Sequence, residues 1–492
     1  MRRTRQYFVL PALPIAFFLA GALYLQMGKA AWVDECYTYY GITHETFGSF
    51  VDSICSGINF SPPLYFLLNW IFQLIFSVPI EALRVESALW ISLGAFLIFA
   101  RCAKSFGFLS SFLGLTLVLL QSNLLIEQAM EARHYGMFFA ASCMILFLLP
   151  SDAESNSSSR KTLYFVSLLA LGLTHYLGIV FCAIAGFARF WCLRKEGPKS
   201  ALPLVEISCS AILAGSYLAL LHKQSSHLNT WGKDNSIEAL LSQYLDSAAP
   251  LSVLVILIPM LIFLPHSTSQ NLKQPDIKNK SLAPLLTVSA LWILVPFFFW
   301  VLSHISPLNL FQERYFIPKE AAFIILVSFG INKLKRRFGE LKPLPSGILL
   351  LIPCLISFGI FALNAKRTHF SLDPSVNYHH WLLIKKDQRK IMGDEPIIHQ
   401  GDHLFFPNLY TDQNNQHFLL INEPELLSTY AKFSSKINCM QKDSLRLLDN
   451  FHFISADGEL PKRLGKSHSI NSSYSLSKYF DAKVRSYSKT TD

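Results

Sequence analysis

The sequence predicts a polytopic α-helical membrane protein that ends in a small α/β domain, and three observations carry that expectation. Of its 492 residues, 51% are hydrophobic and only 15% charged, where a soluble chain carries about a quarter charged residues. The mean hydropathy is +0.34, and several apolar runs approach the roughly 20 residues that cross a bilayer. Basic residues gather in short clusters between those runs, as expected when cytoplasmic loops are enriched in Lys and Arg. The formal charge of +10 therefore does not point to nucleic acid, which would need a basic groove interleaved with aromatics.

Taken in order, "MRRTRQYFVLPALPIAFFLAGALYLQ" resembles a signal peptide in outline, and small residues follow it in "QMGKAAW". Its apolar stretch is longer than a signal-peptide core, so it reads as an uncleaved first span over 7–27. With Arg2, Arg3 and Arg5 inside, the segment 28–84 lies outside. The apolar run 62–76 within it reads as an interfacial helix, because counting it as a span would place Arg101 and Lys104 on the outer face. Spans follow at 85–101, 109–126, 136–150, 162–174, 177–193 and 201–221. Four more lie at 247–265, 283–302, 315–331 and 344–363, which makes about eleven in a domain covering 1–363.

The polar remainder divides into an extracytoplasmic α/β domain over 364–470 and a Ser/Lys-rich flexible tail over 471–492. Within it, "EPIIHQGDHLFFPNLYTD" followed by "HFLLINEPELLSTY" reads as strand, loop, strand, helix. Most of the nine cysteines lie in or beside apolar runs as small hydrophobes. Cys36 and Cys55 share the first outer loop and could form a disulfide in an oxidising compartment. No Cys/His spacing of a metal site is present.

This topology gathers ionisable groups on one face. Asp34, Glu35, Arg84, Glu131, Arg133, His175 and Arg314, with Tyr315, all fall in outer loops or at span ends. Ionisable groups at membrane depth are costly and by default line a cavity or pathway. A transporter or flippase for a lipid-linked or anionic substrate is one reading. Such proteins are built from repeats with charges near the midplane, whereas these charges sit at span ends and the two halves show no repeat.

The ordered set "WVDECY", "SPPLYFLLNWIF", "LRVESALWISLGAFLIFARCAKSFG", "QAMEARHYGMFF", "LTHYLGIVF" and "QERYFIPKEAAFIIL" resembles GT-C-fold glycosyltransferases. It is similar to the bacterial branch related to protein O-mannosyltransferases and lipid A aminoarabinose transferases, over about 1–365. The chain departs from that pattern at Ser61-Pro62-Pro63, where the family often has His-Pro-Pro. It departs again at Arg84-Val85-Glu86-Ser87, where the family often has Arg-Leu-Pro-Ser.

The resemblance implies transfer of a sugar from a polyprenyl-phosphate donor to a glycan, lipid or protein acceptor. It implies a bacterial inner membrane, with the site facing the periplasm or exterior and membrane lipids around it. The matching Asp in the family motif is the general base, which assigns that role to Asp34; the alternative is that Asp34 caps a short interfacial helix. A phosphate leaving group needs charge stabilisation more than protonation, so one base with cationic clamps suffices.

Arg84 and Arg314 are the expected phosphate ligands, since a guanidinium matches phosphate oxygens in bidentate fashion; interfacial snorkelling is the alternative. Tyr315 reads equally as an aromatic-belt residue. Glu131 is expected to orient sugar or acceptor hydroxyls, and Arg133 to pair with a carboxylate of the first loop. A structural ion pair is the other reading. His175 in its tight turn is expected to reach the sugar or phosphate, or to be a structural histidine. Glu35 is expected to have a lesser role, because adjacent residues on a helix do not share a face. No cofactor is firmly implied, and a divalent cation is compatible.

Overall fold

The computed structural model describes residues 2–27, 29–59, 61–149, 158–193, 202–222, 236–245, 282–305, 311–338, 355–357 and 359–362. In the C-terminal region it describes 395–400, 402–412, 416–421, 430–441, 450–455, 468–475 and 483–489, with isolated positions between them.

Helix α1 (Arg2–Leu25) opens the chain. The chain then folds into three short helices, α2 (Val33–Ile42), α3 (Phe47–Cys55) and α4 (Pro63–Phe76). Each start has a local cause. Thr46 caps α3, its Oγ1 accepting from Ser49 N at 3.2 Å, and Pro63 occupies the first turn of α4, where its missing N–H removes no helical bond. Helix α4 has 14 residues, roughly 21 Å of rise, against the roughly 30 Å of a hydrocarbon core. Its last turns expose Ile71, Phe72, Leu74, Ile75 and Phe76.

Helix α5 (Ile80–Phe106) is the long axis of the bundle, packed against α1, α6 (Phe108–Leu119) and α8 (Tyr135–Leu148). Helices α9 (Ser158–Thr174), α10 (Gly178–Leu193), α11 (Leu202–His222) and α12 (Ile237–Leu245) follow, and then α13 (Ala283–Ile305). A 3-10 turn at Glu313–Phe316 leads into α14 (Pro318–Phe338), which packs on α6, α13 and α5. Among the described residues, α5 and α13 are long and apolar enough to cross a membrane by themselves.

The span expected at 109–126 is instead broken. Helix α6 and α7 (Asn123–Ala129) are bent by 71°, and together they would make a third crossing. Ser122 causes the break, since its Oγ accepts from Leu125 N at 3.2 Å and starts a new helix. The expected span 247–265 and most of 344–363 lie outside the described residues.

The C-terminal region forms a six-stranded sheet in the order β3-β2-β1-β4-β6-β5. Strands β1 (Ile397–His399), β2 (His417–Ile421), β3 (Cys439–Gln441) and β4 (Asn450–Ser455) run parallel, while β5 (His468–Ser475) and β6 (Lys483–Lys489) close one edge antiparallel. Two expectations are corrected here. The segment read as a loop is helix α15 (Asp402–Thr411), the crossover of a β1-α15-β2 unit. The helix forms around the internal Pro407, with Phe405 and Phe406 fully buried. The stretch read as a flexible tail supplies most of β5 and all of β6, whose polar sequence conceals backbone pairing at the sheet edge.

Helix α15 docks the sheet onto the membrane-side domain. Phe406 meets Tyr37 edge-on at 5.0 Å, and Tyr410 meets Tyr39 at 5.1 Å. The Tyr410 hydroxyl donates to Glu81 Oε2 and accepts from Ile80 N at the start of α5.

Helices α5 and α8 meet where Gly136 lies against the backbone of Ser87. A Cβ there would sit 2.6 Å from the Ser87 carbonyl oxygen. Gly136→Val should lower thermal stability in detergent by about 1–3 kcal/mol, the usual effect of overpacking. An unchanged unfolding midpoint would contradict this close approach.

Candidate active site

Asp34 and Glu35 are adjacent in the chain and do separate work in space. Glu35 faces inward with no solvent exposure, and its carboxylate accepts five hydrogen bonds. Oε1 receives Arg84 Nε at 2.8 Å, Ala132 N at 3.0 Å and Lys29 Nζ at 3.3 Å. Oε2 receives Arg84 Nη2 at 2.6 Å and Trp32 N at 3.3 Å. The last of these is local: as the third residue of α2, Glu35 reaches back to an N–H that the helix leaves unsatisfied. Burial alone would raise the Glu35 carboxyl, but Arg84 and Lys29 outweigh it and hold the group down at about 2. Burial draws Lys29 down to about 8 against the pull of Glu35, so it remains charged at neutral pH.

Arg84 differs from the expectation of a phosphate ligand. It is 1% exposed, and all three guanidinium nitrogens are engaged internally. Beyond Glu35 they donate to the carbonyls of Lys29 at 2.8 Å and Ala30 at 2.9 Å. Lys29 adds a bond to the Met130 carbonyl at 3.0 Å. Glu35 and Arg84 thus tie together α5, the chain entering α2 and the connection between α7 and α8.

Asp34 points the other way, where its Oδ2 takes Arg314 Nη1 at 2.9 Å. The Arg314 side chain keeps 23% of its surface exposed and lies over the rings of Trp32 and Tyr135, at 5.9 and 5.8 Å. Arg133 does not pair with a first-loop carboxylate as expected. Its Nη1 instead meets the Asp34 carbonyl at 3.1 Å, with Thr38 Oγ1 and Asn59 Oδ1 each at 3.3 Å. It therefore fixes the backbone of α2 directly beneath Asp34.

Glu131 is buried within electrostatic reach of Lys29, Arg314, Glu35 and Asp34. Its Oε2 has no hydrogen-bond partner among the described residues. Burial pushes this carboxyl up to about 7, although Lys29 and Arg314 pull the other way. His175 stacks on Phe138 at 4.7 Å and lies 5.0 Å from the Tyr315 ring. Its Nδ1 accepts from Leu177 N at 3.1 Å, which leaves the ring proton on Nε2. Burial, with Arg314 and Arg133 nearby, lowers the ring to about 3 and keeps it neutral. Tyr315 also faces Tyr135 at 6.5 Å. Five of the eight expected site residues thus surround a sixth, Arg314, or its immediate partners, while Glu35 and Arg84 form the support behind them.

Sequence reasoning passed over Lys29 and Trp32. Lys29 had a usable signal, being the one cation between the first apolar run and the acid pair. The departure Glu86 is absorbed locally by Trp90 Nε1 at 2.7 Å and Asn69 Nδ2 at 3.4 Å. Cys36 and Cys55 are free thiols. No group of three or more His, Cys, Asp or Glu among the described residues could hold a metal ion. Most of the segment 222–246, expected as a longer outer loop, lies outside the described residues.

Comparison of the sequence with protein-family models and with curated proteins gives no match. Solved structures do match. ArnT from Cupriavidus metallidurans bound to undecaprenyl phosphate is 13% identical, with 97% of each chain covered and a TM-score of 0.60. The apo state of the same protein matches at 13% identity, 97% coverage of each chain and a TM-score of 0.61. The archaeal oligosaccharyltransferase AglB from Archaeoglobus fulgidus, in complex with an inhibitory peptide and a dolichol-phosphate, is 9% identical. That match covers 91% of this chain and 69% of that one, with a TM-score of 0.48.

The buried cluster carries a pH signature. Glu35 has a folded-state value of about 2 against an ordinary 4.5, so its contribution is fully present above 4.5 and is lost as pH falls towards 2. The shift corresponds to about 3 kcal/mol. Unfolding midpoints measured from neutral pH downward should fall across that window. Arg84→Ala, which leaves a buried carboxylate unpaired, should cost about 3–5 kcal/mol at neutral pH. A midpoint unaffected by Arg84→Ala would rule out the strut.

Proposed function

We propose that this chain, whose fold is that of the GT-C membrane glycosyltransferases, is an inverting glycosyltransferase moving a sugar from a polyprenyl-phosphate donor to an acceptor. The site would lie at the extracytoplasmic face of a bacterial inner membrane, in a domain of about eleven crossings. The observation that carries the reading is the Asp34–Arg314 pair, a carboxylate and a partly exposed guanidinium 2.9 Å apart beside an aromatic wall. Undecaprenyl phosphate bound to ArnT, a protein of the same fold, is consistent with such a donor.

In this mechanism Arg314 receives the donor phosphate. Its guanidinium is paired with Asp34, and an arriving phosphate competes for it and frees the carboxylate to act as base. The acceptor O–H or N–H then attacks the anomeric carbon as the bond to phosphate oxygen breaks. The proton passes to Asp34, and the polyprenyl phosphate departs with its charge held by Arg314. Burial makes the arginine more effective than it would be in water.

Tyr315, Tyr135 and neutral His175 form the face against which the sugar rests, with His175 Nε2–H available as a donor. Glu131, held near 7, alternates between donating to and accepting from hydroxyls. Arg133, Arg84 and Glu35 act through position, holding the loop that carries Asp34. The α/β domain over α2 bounds the acceptor side. The acceptor is a glycan, lipid or protein.

Membranes containing the protein, supplied with labelled polyprenyl-phosphate sugars, test this. Asp34→Asn should reduce transfer by about 10²–10⁴-fold, the range for loss of a general base, while leaving the unfolding midpoint near wild type. Arg314→Lys should weaken donor use and spare folding. Equal transfer by wild type and Asp34→Asn would sink the assignment of the base.

A further inference from the structure

Arg133 carries a charge that the chain leaves unanswered. The residue is 8% exposed, and its three hydrogen bonds all leave from Nη1. The acceptors, the Asp34 carbonyl, Thr38 Oγ1 and Asn59 Oδ1, are neutral. Arg84 has Glu35 and Arg314 has Asp34; among the described residues no carboxylate lies within ion-pair distance of Arg133. The Nε–Nη2 edge of its guanidinium makes no hydrogen bond among those residues either.

The neighbours of Arg133 are unfilled as well. Asn59 is 3% exposed, and while its Oδ1 accepts from Arg133 its Nδ2 has no partner among the described residues. His134, 2% exposed, has neither ring nitrogen bonded among them. Burial and the Arg133 charge beside it hold that ring neutral, so it offers one N–H and one lone pair. Buried polar groups are almost always paired, and a buried cation is costly without an anion. The rings nearby say where that anion belongs. Arg133 and Arg314 both lie within electrostatic reach of Tyr135 and His175, two of the rings on which the sugar rests in the proposed reaction. The His134 ring is 4.3 Å from that of Tyr135 and 5.3 Å from that of His175. Two arginines therefore flank one sugar face. Arg314 takes the lipid phosphate, and Arg133 is matched by a second negative charge, on the sugar itself.

Resting on the reading of the chain as a polyprenyl-phosphate-dependent glycosyltransferase, we propose that the Nε–Nη2 edge of Arg133 binds a carboxylate on the transferred sugar, so that the donor carries a uronosyl group. A guanidinium edge matches a carboxylate in bidentate fashion. Asn59 Nδ2 donates to the same carboxylate, and His134 binds a neighbouring sugar hydroxyl. A neutral hexosyl donor leaves the cation and these donors unmatched, and binds less tightly for that reason.

The test uses the purified full-length protein in neutral detergent, with thermal unfolding followed as donor is titrated. The probes are the galacturonosyl and galactosyl phosphates of one short-chain isoprenol, which differ only at C6 of the sugar. The wild type should respond to the galacturonosyl donor at roughly tenfold lower concentration than to the galactosyl donor. Asn59→Asp places a carboxylate beside Arg133 and supplies the missing counter-charge. It should fold at least as well as the wild type, still respond to the galactosyl donor, and lose the preference between the two. Arg133→Gln should lose the same preference, but it also releases the Asp34 carbonyl, so Asn59→Asp is the deciding variant. Equal responses of the wild type to both donors would overturn this proposal alone and leave the glycosyltransferase reading standing. A preference that survives in Asn59→Asp would overturn it too, since the carboxylate would then be read elsewhere. No response to either donor would overturn the polyprenyl-phosphate reading and this proposal with it.

Discussion

A carboxylate with no solvent exposure and five donors, that of Glu35, is the constraint on which the rest of the site depends. Desolvating an ion is costly, and the cost is recovered only when its lone pairs are filled and its charge is balanced. Arg84 and Lys29 supply the charge, while the N–H groups of Trp32 and Ala132 fill the remaining positions. These donors come from three separate stretches of chain. Glu35 therefore fixes the entry to α2, the start of α5 and the α7–α8 connection relative to one another. Asp34 inherits its direction from that arrangement.

The two neighbouring acids then diverge in chemistry. Glu35 is held ionised by a bidentate arginine and is spent on structure. Asp34 is left at the surface of the cluster, sharing one partly exposed arginine. Glu131 has burial without a committed partner for Oε2, and its carboxyl rises accordingly to about 7. Carboxyl groups pushed in opposite directions within one small volume are what acid–base chemistry at neutral pH requires. Arg133 adds precision by gripping the Asp34 carbonyl, so the base is steadied through its own backbone.

Much of the frame was legible in the residues. Apolar runs bounded by basic clusters placed α5, α8, α10 and α13 within a few residues, because length and hydropathy in a bilayer leave little freedom. Asp34, Arg133 and Arg314 could be gathered on one face by topology alone. What could not be read were partnerships decided by three-dimensional packing. Arg84 and Arg314 look alike in sequence, yet one is captured by Glu35 and the other is not. Ser122 was a capping signal hidden inside an apolar run, so the bend of 71° went unseen. Helix α15 formed despite Pro407 because Phe405 and Phe406 are buried once the domain docks on α2. Strands β5 and β6 are stabilised by backbone pairing that polar composition does not advertise.

The central claim is a division of labour: Arg314 meets the substrate phosphate, while Arg84 stays bound to Glu35. The direct measurement is a cryo-electron-microscopy structure of the full-length protein with undecaprenyl phosphate. Phosphate density against Arg314, with Asp34 released and the Glu35–Arg84 pair intact, is the result this account predicts. Phosphate density on Arg84, with Glu35 displaced, or lipid phosphate bound away from Asp34 and Arg314 altogether, would contradict it.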